Sequence, residues 1–162
     1  PDFGAGTGDD AIADALAPMR IAAAFETLRD RAEAFLEATG EYPAIFLATL
    51  GPLAEHTARA DFARNLFASG GIEAREPAKP PQDGAALAAA FKESGCVIAV
   101  LCGSDAGYHS DAAEAAKTLK SVGAARVWLA GKFEADNIDS HIAIGCDVLH
   151  HVTLAQAELG VK

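Results

Sequence analysis

The stretch CVIAVLC (96–102) decides the fold of this 162-residue chain. It is a continuous apolar run, far shorter than a membrane span, and it lies between two Ala-rich amphipathic stretches. Near-continuous apolar runs that alternate with helical patterns are typical of strands buried on both faces of a parallel sheet. The same rhythm predicts four further strands, which are AIFLATL (44–50), GIEAR (71–75), RVWLAG (126–131) and CDVLHHV (146–152).

Amphipathic stretches separate and follow these runs, so a β–α unit recurs along the chain. A right-handed crossover between successive parallel strands leaves few topologies. We therefore predict an α/β, flavodoxin-like (Rossmann-type) fold, with a doubly wound five-stranded parallel sheet in the order 2-1-3-4-5. The predicted helices cover about residues 55–69, 84–94, 107–122, 133–139 and 153–159.

The segment before the first strand predicts a leading helix. Residues 1–8 are Gly-rich and without pattern, and a helix is expected over 11–17 until Pro18 interrupts it. From 19 to 39 apolar residues recur at helical spacing. The predicted units are a flexible leading segment with a linker helix over 1–40 and an α/β domain over 41–162.

The charge balance and the cysteines exclude several classes of protein. Thirteen Lys and Arg against 23 Asp and Glu give a net charge of −10, which argues against a nucleic-acid surface and against an anionic membrane surface. Cys96, Cys102 and Cys146 are an odd number without CxxC spacing, so they predict neither a disulfide framework nor a zinc site. Since reduced cysteines act as small hydrophobes in apolar runs, we expect a reducing, cytoplasmic compartment.

In a parallel sheet of this kind, ligands bind in the crevice beyond the carboxyl ends of the strands. His56 follows the first predicted strand, and Ser104 and Asp105 follow the third. His56 is a candidate metal ligand or base, or else a loop residue at the start of a helix. The Gly-Ser loop either holds an anion or caps the next helix through Ser104 or Asp105. It matches neither a phosphate loop nor a dinucleotide-binding motif, so both interpretations stay open.

Two further histidines, His150 and His151, lie at the end of the predicted fifth strand. With His56 and His109 they are candidates for a metal- or anion-binding group at the crevice, or else they are separate solvated rings. Recognisable zinc sites have tighter spacings than these. The sequence therefore predicts no metal site outright.

A resemblance to a known family adds to these patterns. The segment PMRIAAAFETLRDRAEAFLEATGEYPAIFLATLG (18–51) resembles the connection from the barrel into the C-terminal domain of methylmalonyl-CoA mutases. The rest, through HHVTLAQAELG (150–160), is similar to that family's cobalamin-binding domain. The run LGPLAEHTARADFARNLFASGGIEA (50–74) most resembles the small, non-catalytic subunit of the heterodimeric bacterial enzymes. The resemblance implies a large subunit that binds adenosylcobalamin and interconverts methylmalonyl-CoA and succinyl-CoA.

The family's cobalamin motif after strand one is D-x-H-x-x-G. Its His ligates cobalt, its Asp orients the His, and its Gly leaves room for the nucleotide tail. The matching window here has His56 in the His place, Ala54 in the Asp place and Arg59 in the Gly place. Loss of an orienting partner costs about 10–100-fold in metal affinity at other sites. Arg59 is expected to stand where the tail would enter.

The family's later sequence motifs are also altered. Its Ser-x-Leu after strand three is replaced by Leu101-Cys102-Gly103, and its Gly-Gly after strand four is reduced to Gly131. His150 and His151 stand where the family has glycines after strand five. The expected result is a cofactor channel filled by bulky side chains.

The resemblance thus implies a cobalamin-binding-like domain with a degenerate site and a structural, assembly role. It would pack against the barrel of its own subunit and against the catalytic large subunit, as half of a heterodimer. We expect no cofactor in this chain, adenosylcobalamin in the large subunit, and no catalysis by this part of the isomerase alone. The alternatives are a working cobalamin carrier with His56 below the cobalt, or a His-based metal- or anion-binding module. If cobalamin binds, the expected contacts are His56, Cys102, Gly103, Gly131 and His150.

The predicted strands also predict a core. We expect Leu28 and Phe35 of the linker helix to face this domain or the barrel. The expected strand core is Phe46, Leu47, Val97, Ile98, Val100, Val127 and Leu129.

Overall fold

The computed structural model describes residues 7–162, with side chains from residue 17 onward. Helices and strands alternate along almost all of this part of the chain. In chain order they are α1 (Thr7–Thr39), β1 (Ala44–Thr49), α2 (Leu53–Ala68), β2 (Glu73–Arg75), α3 (Gly84–Ser94), β3 (Ile98–Cys102), α4 (Asp105–Ser121), β4 (Arg126–Ala130), β5 (Ser140–Ile142) and α5 (Val148–Glu158).

The five strands form one sheet in the order β2-β1-β3-β4-β5, and every neighbouring pair is parallel. The central register pairs Leu47 with Val100 and Val100 with Trp128. The predicted α/β, flavodoxin-like fold and its strand order are therefore confirmed. All carboxyl ends of the strands lie along one edge of the sheet, which we call the carboxyl edge.

The core has two layers because successive side chains of a strand point to opposite faces. On one face, Ile45, Leu47 and Trp128 pack against α1, α2 and α5. On the other face, Phe46 and Leu129 pack against α3 and α4. Of the residues predicted as strand core, only Val97 is wrong. It is 40% exposed because β3 begins one residue later, at Ile98.

The leading helix is continuous, so the predicted interruption at Pro18 is wrong. Residues 17–20 are exposed, so the carbonyl that a proline leaves without a helical partner does not have to be satisfied within a packed core. The predicted start at residue 11 is also late, since α1 begins at Thr7. Residues 1–6 of the predicted flexible segment lie outside the described residues.

The second half of α1 is packed into the domain. Leu28 and Ala32 are buried against the turn between α2 and β2 and against α5. Gln156 on α5 donates from Nε2 to the backbone carbonyls of Leu28, at 2.7 Å, and Gly70, at 2.9 Å. These bonds join three segments of the chain at one buried point. The boundary at residue 40 stays a prediction.

The fifth repeat differs from its prediction. The run predicted as a strand, 146–152, contains the start of α5, and the run predicted as a helix, 133–139, is irregular. Asp147 caps α5 through its side chain, which accepts from the amide of His150 at 3.1 Å. The true edge strand, β5, has only three residues. Its three residues form no apolar run. The apolar run at 146–152, which contains the start of α5, was therefore the one predicted as the fifth strand.

No helix in the described part of the chain has the length and hydrophobicity needed to cross a membrane.

Candidate functional site

A cleft of about 700 Å³ lies at the carboxyl edge of the sheet. Its floor is formed by the ends of β4 and β5, at Ala130, Gly131 and Ile142, and its side by α2. Phe62 of α2 contributes an apolar wall, and Lys132 lies in the turn after β4. This is the place where a parallel α/β sheet positions a ligand.

Arg59 of α2 spans the ends of β3 and β4. Its Nη1 donates to the carbonyl of Gly103 at 2.7 Å, and its Nη2 forms an ion pair with Asp105 at 2.9 Å. The guanidinium carbon lies 5.2 Å from the centre of the Tyr108 ring, at cation–π distance. One residue of α2 is thus fixed by the loop after β3 and by α4.

Gly131 shows how closely Arg59 approaches β4. Its φ of +134° lies in a region that side chains rarely adopt. A Cβ added there would lie 3.2 Å from the guanidinium carbon of Arg59. The glycine therefore gives both the backbone shape and the space that Arg59 occupies.

The partners of the Arg59 guanidinium determine its charge state. Burial lowers the pKa of Arg59, but the hydrogen bond and the charge of Asp105 outweigh it, so the pKa is raised and the group stays a cation. Burial raises the pKa of Tyr108 well above its usual value. The Tyr108 hydroxyl is therefore neutral. It accepts from the amide of Gly103 at 2.9 Å and lies 2.7 Å from the carbonyl oxygen of Ala130, thereby joining β3 and β4.

His56 lies in the first turn of α2 and is 5% exposed. Its Nδ1 is 3.1 Å from the carbonyl oxygen of Gly51, which fixes the ring when Nδ1 carries the proton. The neighbouring carboxylate of Glu55 does not serve this purpose. Its Oε2 lies 3.5 Å from the hydroxyl of Ser104 instead.

Cys102 is the last residue of β3 and Gly103 follows it, and both are buried. Burial raises the pKa of the Cys102 thiol to about 12, so the thiol is protonated at neutral pH. The loop that follows caps α4, because the Ser104 hydroxyl accepts from the amide of Gly107 at 3.0 Å. Of the two interpretations of this loop, the capping one is confirmed.

The predicted placement of His150 and His151 at the end of a strand is wrong. Both lie in the first turns of α5, since Asp147 starts a helix there. The ring of His151 packs edge-on against Trp128 at 5.8 Å and against His150 at 5.5 Å. Neither histidine lines the cleft.

The histidines proposed as a metal group are on three different helices. His56 is on α2, His109 is on α4 beside the ring of Phe133, and His150 is on α5. Within residues 17–162 no three His, Cys, Asp or Glu side chains come together in a metal-binding group.

Sequence reasoning missed Tyr108, Phe62 and Lys132. An aromatic residue on the buried face of a predicted helix is expected to be a core residue. Only the contacts of Tyr108 show that it also joins the ends of two strands. Lys132 lies two residues after the end of β4, where a parallel sheet places its ligands. This position is the sequence signal that could have identified it.

Comparison with known proteins gives the family. No family model matches the chain. It is 47% identical over 140 residues to the methylmalonyl-CoA mutase small subunit of Streptomyces virginiae, an alignment that covers 85% of this chain and 22% of that protein. This chain is a homologue of the methylmalonyl-CoA mutase small subunits.

Two more mutase small subunits agree with this result. The probable small subunit of Mycobacterium tuberculosis is 44% identical over 124 residues, with 75% of this chain and 20% of that protein covered. The small subunit of Propionibacterium freudenreichii is 33% identical over 158 residues, with 90% and 23% covered. The chain spans about a fifth of the length of the curated relatives it matches. The name of these relatives implies a larger partner subunit for them.

Proposed function

We propose that this chain is the cobalamin-binding-like domain of a mutase small subunit, that it holds no cobalamin, and that its role is structural. In this proposal it helps to assemble the small subunit with a catalytic large subunit that isomerises methylmalonyl-CoA and succinyl-CoA. The observation that carries the proposal is the position of Arg59 across the ends of β3 and β4.

The residues around Arg59 do not fit the buried tail of a corrinoid. The guanidinium occupies the space between Gly103 and Gly131, at the point where the resemblance requires a glycine in place of Arg59. A tail inserted there would displace it from a carbonyl, from Asp105 and from the face of Tyr108. The carbonyl of Gly103 is buried, and leaving it unpaired costs about 1–3 kcal/mol, whereas the Asp105 side chain is exposed and would return to water.

The environment of His56 also weakens the case for cobalt ligation. A lower ligand must present Nε2 to a large corrin ring outside the domain, whereas His56 is 5% exposed within the first turn of α2. One contact favours the rival carrier function, because the carbonyl of Gly51 holds Nδ1 in the way that a hydrogen-bond partner orients a metal-binding histidine. The two functions therefore require a direct test.

The shape of α1 supports an assembly role. Residues 17–23 are exposed on every side of the helix, and they include Met19 at 67% and Ile21 at 52% exposure. Apolar side chains on a helix that stands clear of its domain are typical of a surface that packs against another unit. The relatives are about four times as long as this chain and their name implies a larger partner, so both the rest of the subunit and the large subunit offer such a unit.

Titration with hydroxocobalamin and adenosylcobalamin tests the cofactor half of the proposal. We expect no change in the cobalamin spectrum and no heat of binding at micromolar cofactor, because Arg59 holds the tail's space. The matched variant is His56→Ala, which should behave as the wild type. A base-off, His-ligated spectrum that His56→Ala abolishes would establish the carrier function and overturn ours.

Co-purification tests the assembly half. We expect the complete small subunit to retain its large subunit, and Met19→Ser with Ile21→Ser to weaken retention about tenfold or more, since two apolar contacts are lost. The control is Leu154→Ser, an exposed apolar residue of α5. Unchanged retention in the double variant, at an unchanged melting temperature, would remove α1 from the interface.

A further inference from the structure

The cleft beside Arg59 remains open, and it has the size of a site for an organic molecule. Its volume of about 700 Å³ lies within the range of about 300–1,000 Å³ typical of small-molecule sites. Apolar walls come from Phe62 on α2 and from Phe133 in the segment after β4, both of which are partly exposed. Ile144 at the mouth is 88% exposed, so a bound apolar group would remove its side chain from water.

The charges around this cleft have the opposite sign to the charge of the whole chain. Two cations, Arg59 and Lys132, line it together with one carboxylate, Asp105, while the chain carries a net charge of −10. Asp105 is already paired with Arg59 at 2.9 Å. Among the described residues, Lys132 forms no ion pair. A local excess of positive charge in a concave site favours an anion.

We propose that this cleft binds an amphiphilic organic anion. The apolar body packs against Phe62, Phe133 and Ile144, and a carboxylate or phosphate lies at Lys132 and at the outer side of the Arg59 guanidinium. Arg59 keeps its bonds to Gly103 and Asp105, and its exposed side supplies charge. The ligand is smaller than a corrinoid and needs no space beneath Arg59, so this proposal does not depend on the assembly role.

Calorimetric titration of the whole chain with octanoate and octanamide tests the charge requirement. The two probes share one apolar body, and only octanoate carries a charge. We expect octanoate to bind about tenfold more tightly, since an ionised acceptor strengthens its hydrogen bonds. Lys132→Gln should remove most of this difference while leaving octanamide unchanged. Octyl phosphate in the same titration shows whether carboxylate or phosphate is preferred.

A bulky substitution in the cleft tests whether octanoate binds there. Ala58 is an exposed residue of α2 that lines the cleft, and Ala54, one turn earlier, is exposed and does not line it. We expect Ala58→Phe to weaken octanoate binding tenfold or more and Ala54→Phe to leave it unchanged, both with wild-type melting temperatures. Equal affinity for octanoate and octanamide, absence of octanoate binding, or unchanged binding to Ala58→Phe each overturns the proposal. The octanoate titration contains no cobalamin, so its outcome does not depend on the outcome of the cobalamin titration.

Discussion

Trp128→Ala is expected to lower the free energy of unfolding by about 3–5 kcal/mol, the cost of removing a buried aromatic residue. Trp128 is 1% exposed on β4 and packs against Phe67 of α2 at 5.6 Å and His151 of α5 at 5.8 Å. Its loss opens a cavity where both helices meet the sheet. Urea unfolding followed by circular dichroism measures the change, because the variant lacks the chain's only Trp as a fluorophore.

The matched control is Leu53→Ala. Leu53 is 70% exposed at the start of α2, so its truncation should change stability by no more than about 0.5 kcal/mol. A Trp128→Ala loss as small as that of Leu53→Ala would contradict the packing of α2 and α5 against this part of the sheet.

Gly71→Ala is expected to destabilise the protein by about 2–5 kcal/mol through two separate effects. Gly71 has a φ of +73°, a left-handed conformation that costs a side chain about 1–2 kcal/mol. The new Cβ would also lie 2.6 Å from the Cβ of Ala32 on α1, and overpacking of this kind costs about 1–3 kcal/mol. Because the contact is with α1, the helix should loosen from the domain.

Two companion variants separate these effects. Gly160 has a similar φ of +78° with nothing within 4 Å of an added Cβ, so Gly160→Ala should show the backbone cost alone. Ala32→Gly removes the contacting methyl group and should restore part of the stability of Gly71→Ala in a double-mutant cycle. Equal losses for Gly71→Ala and Gly160→Ala, without coupling to Ala32, would show that α1 is not packed there.

The strands β1, β3 and β4 could be predicted because each is buried and leaves a clear apolar run, and β2 was predicted from GIEAR (71–75) although none of its three residues is buried. AIFLATL (44–50) and RVWLAG (126–131) coincide with β1 and β4 to within a residue. The fifth repeat could not be predicted from hydrophobicity, since β5 (Ser140–Ile142) leaves no apolar run and the run at 146–152 contains the start of α5. The cap at Asp147, a residue type favoured before a helix, was the signal that separates α5 from a strand.

The site was predicted less completely than the fold. The resemblance placed Arg59 at the position of a glycine, but a sequence alone does not say where a long side chain ends. Its contacts with Gly103, Asp105 and Tyr108 join residues that lie 44 or more positions away. The prediction that His150 and His151 end a strand is wrong, because both lie in α5, and whether they fill the cofactor channel stays a prediction.

By itself, the sequence determined the α/β class, the strand order and the family, since apolar periodicity and identity to relatives are properties of the linear chain. Only the tertiary structure decided what lies at the carboxyl edge of the sheet. There an ion pair, a carbonyl and an aromatic face hold Arg59 in place, and an open cleft remains beside it. The physical reason is that a site is formed by groups brought together from distant parts of the chain, whereas local pattern records only which residues are buried.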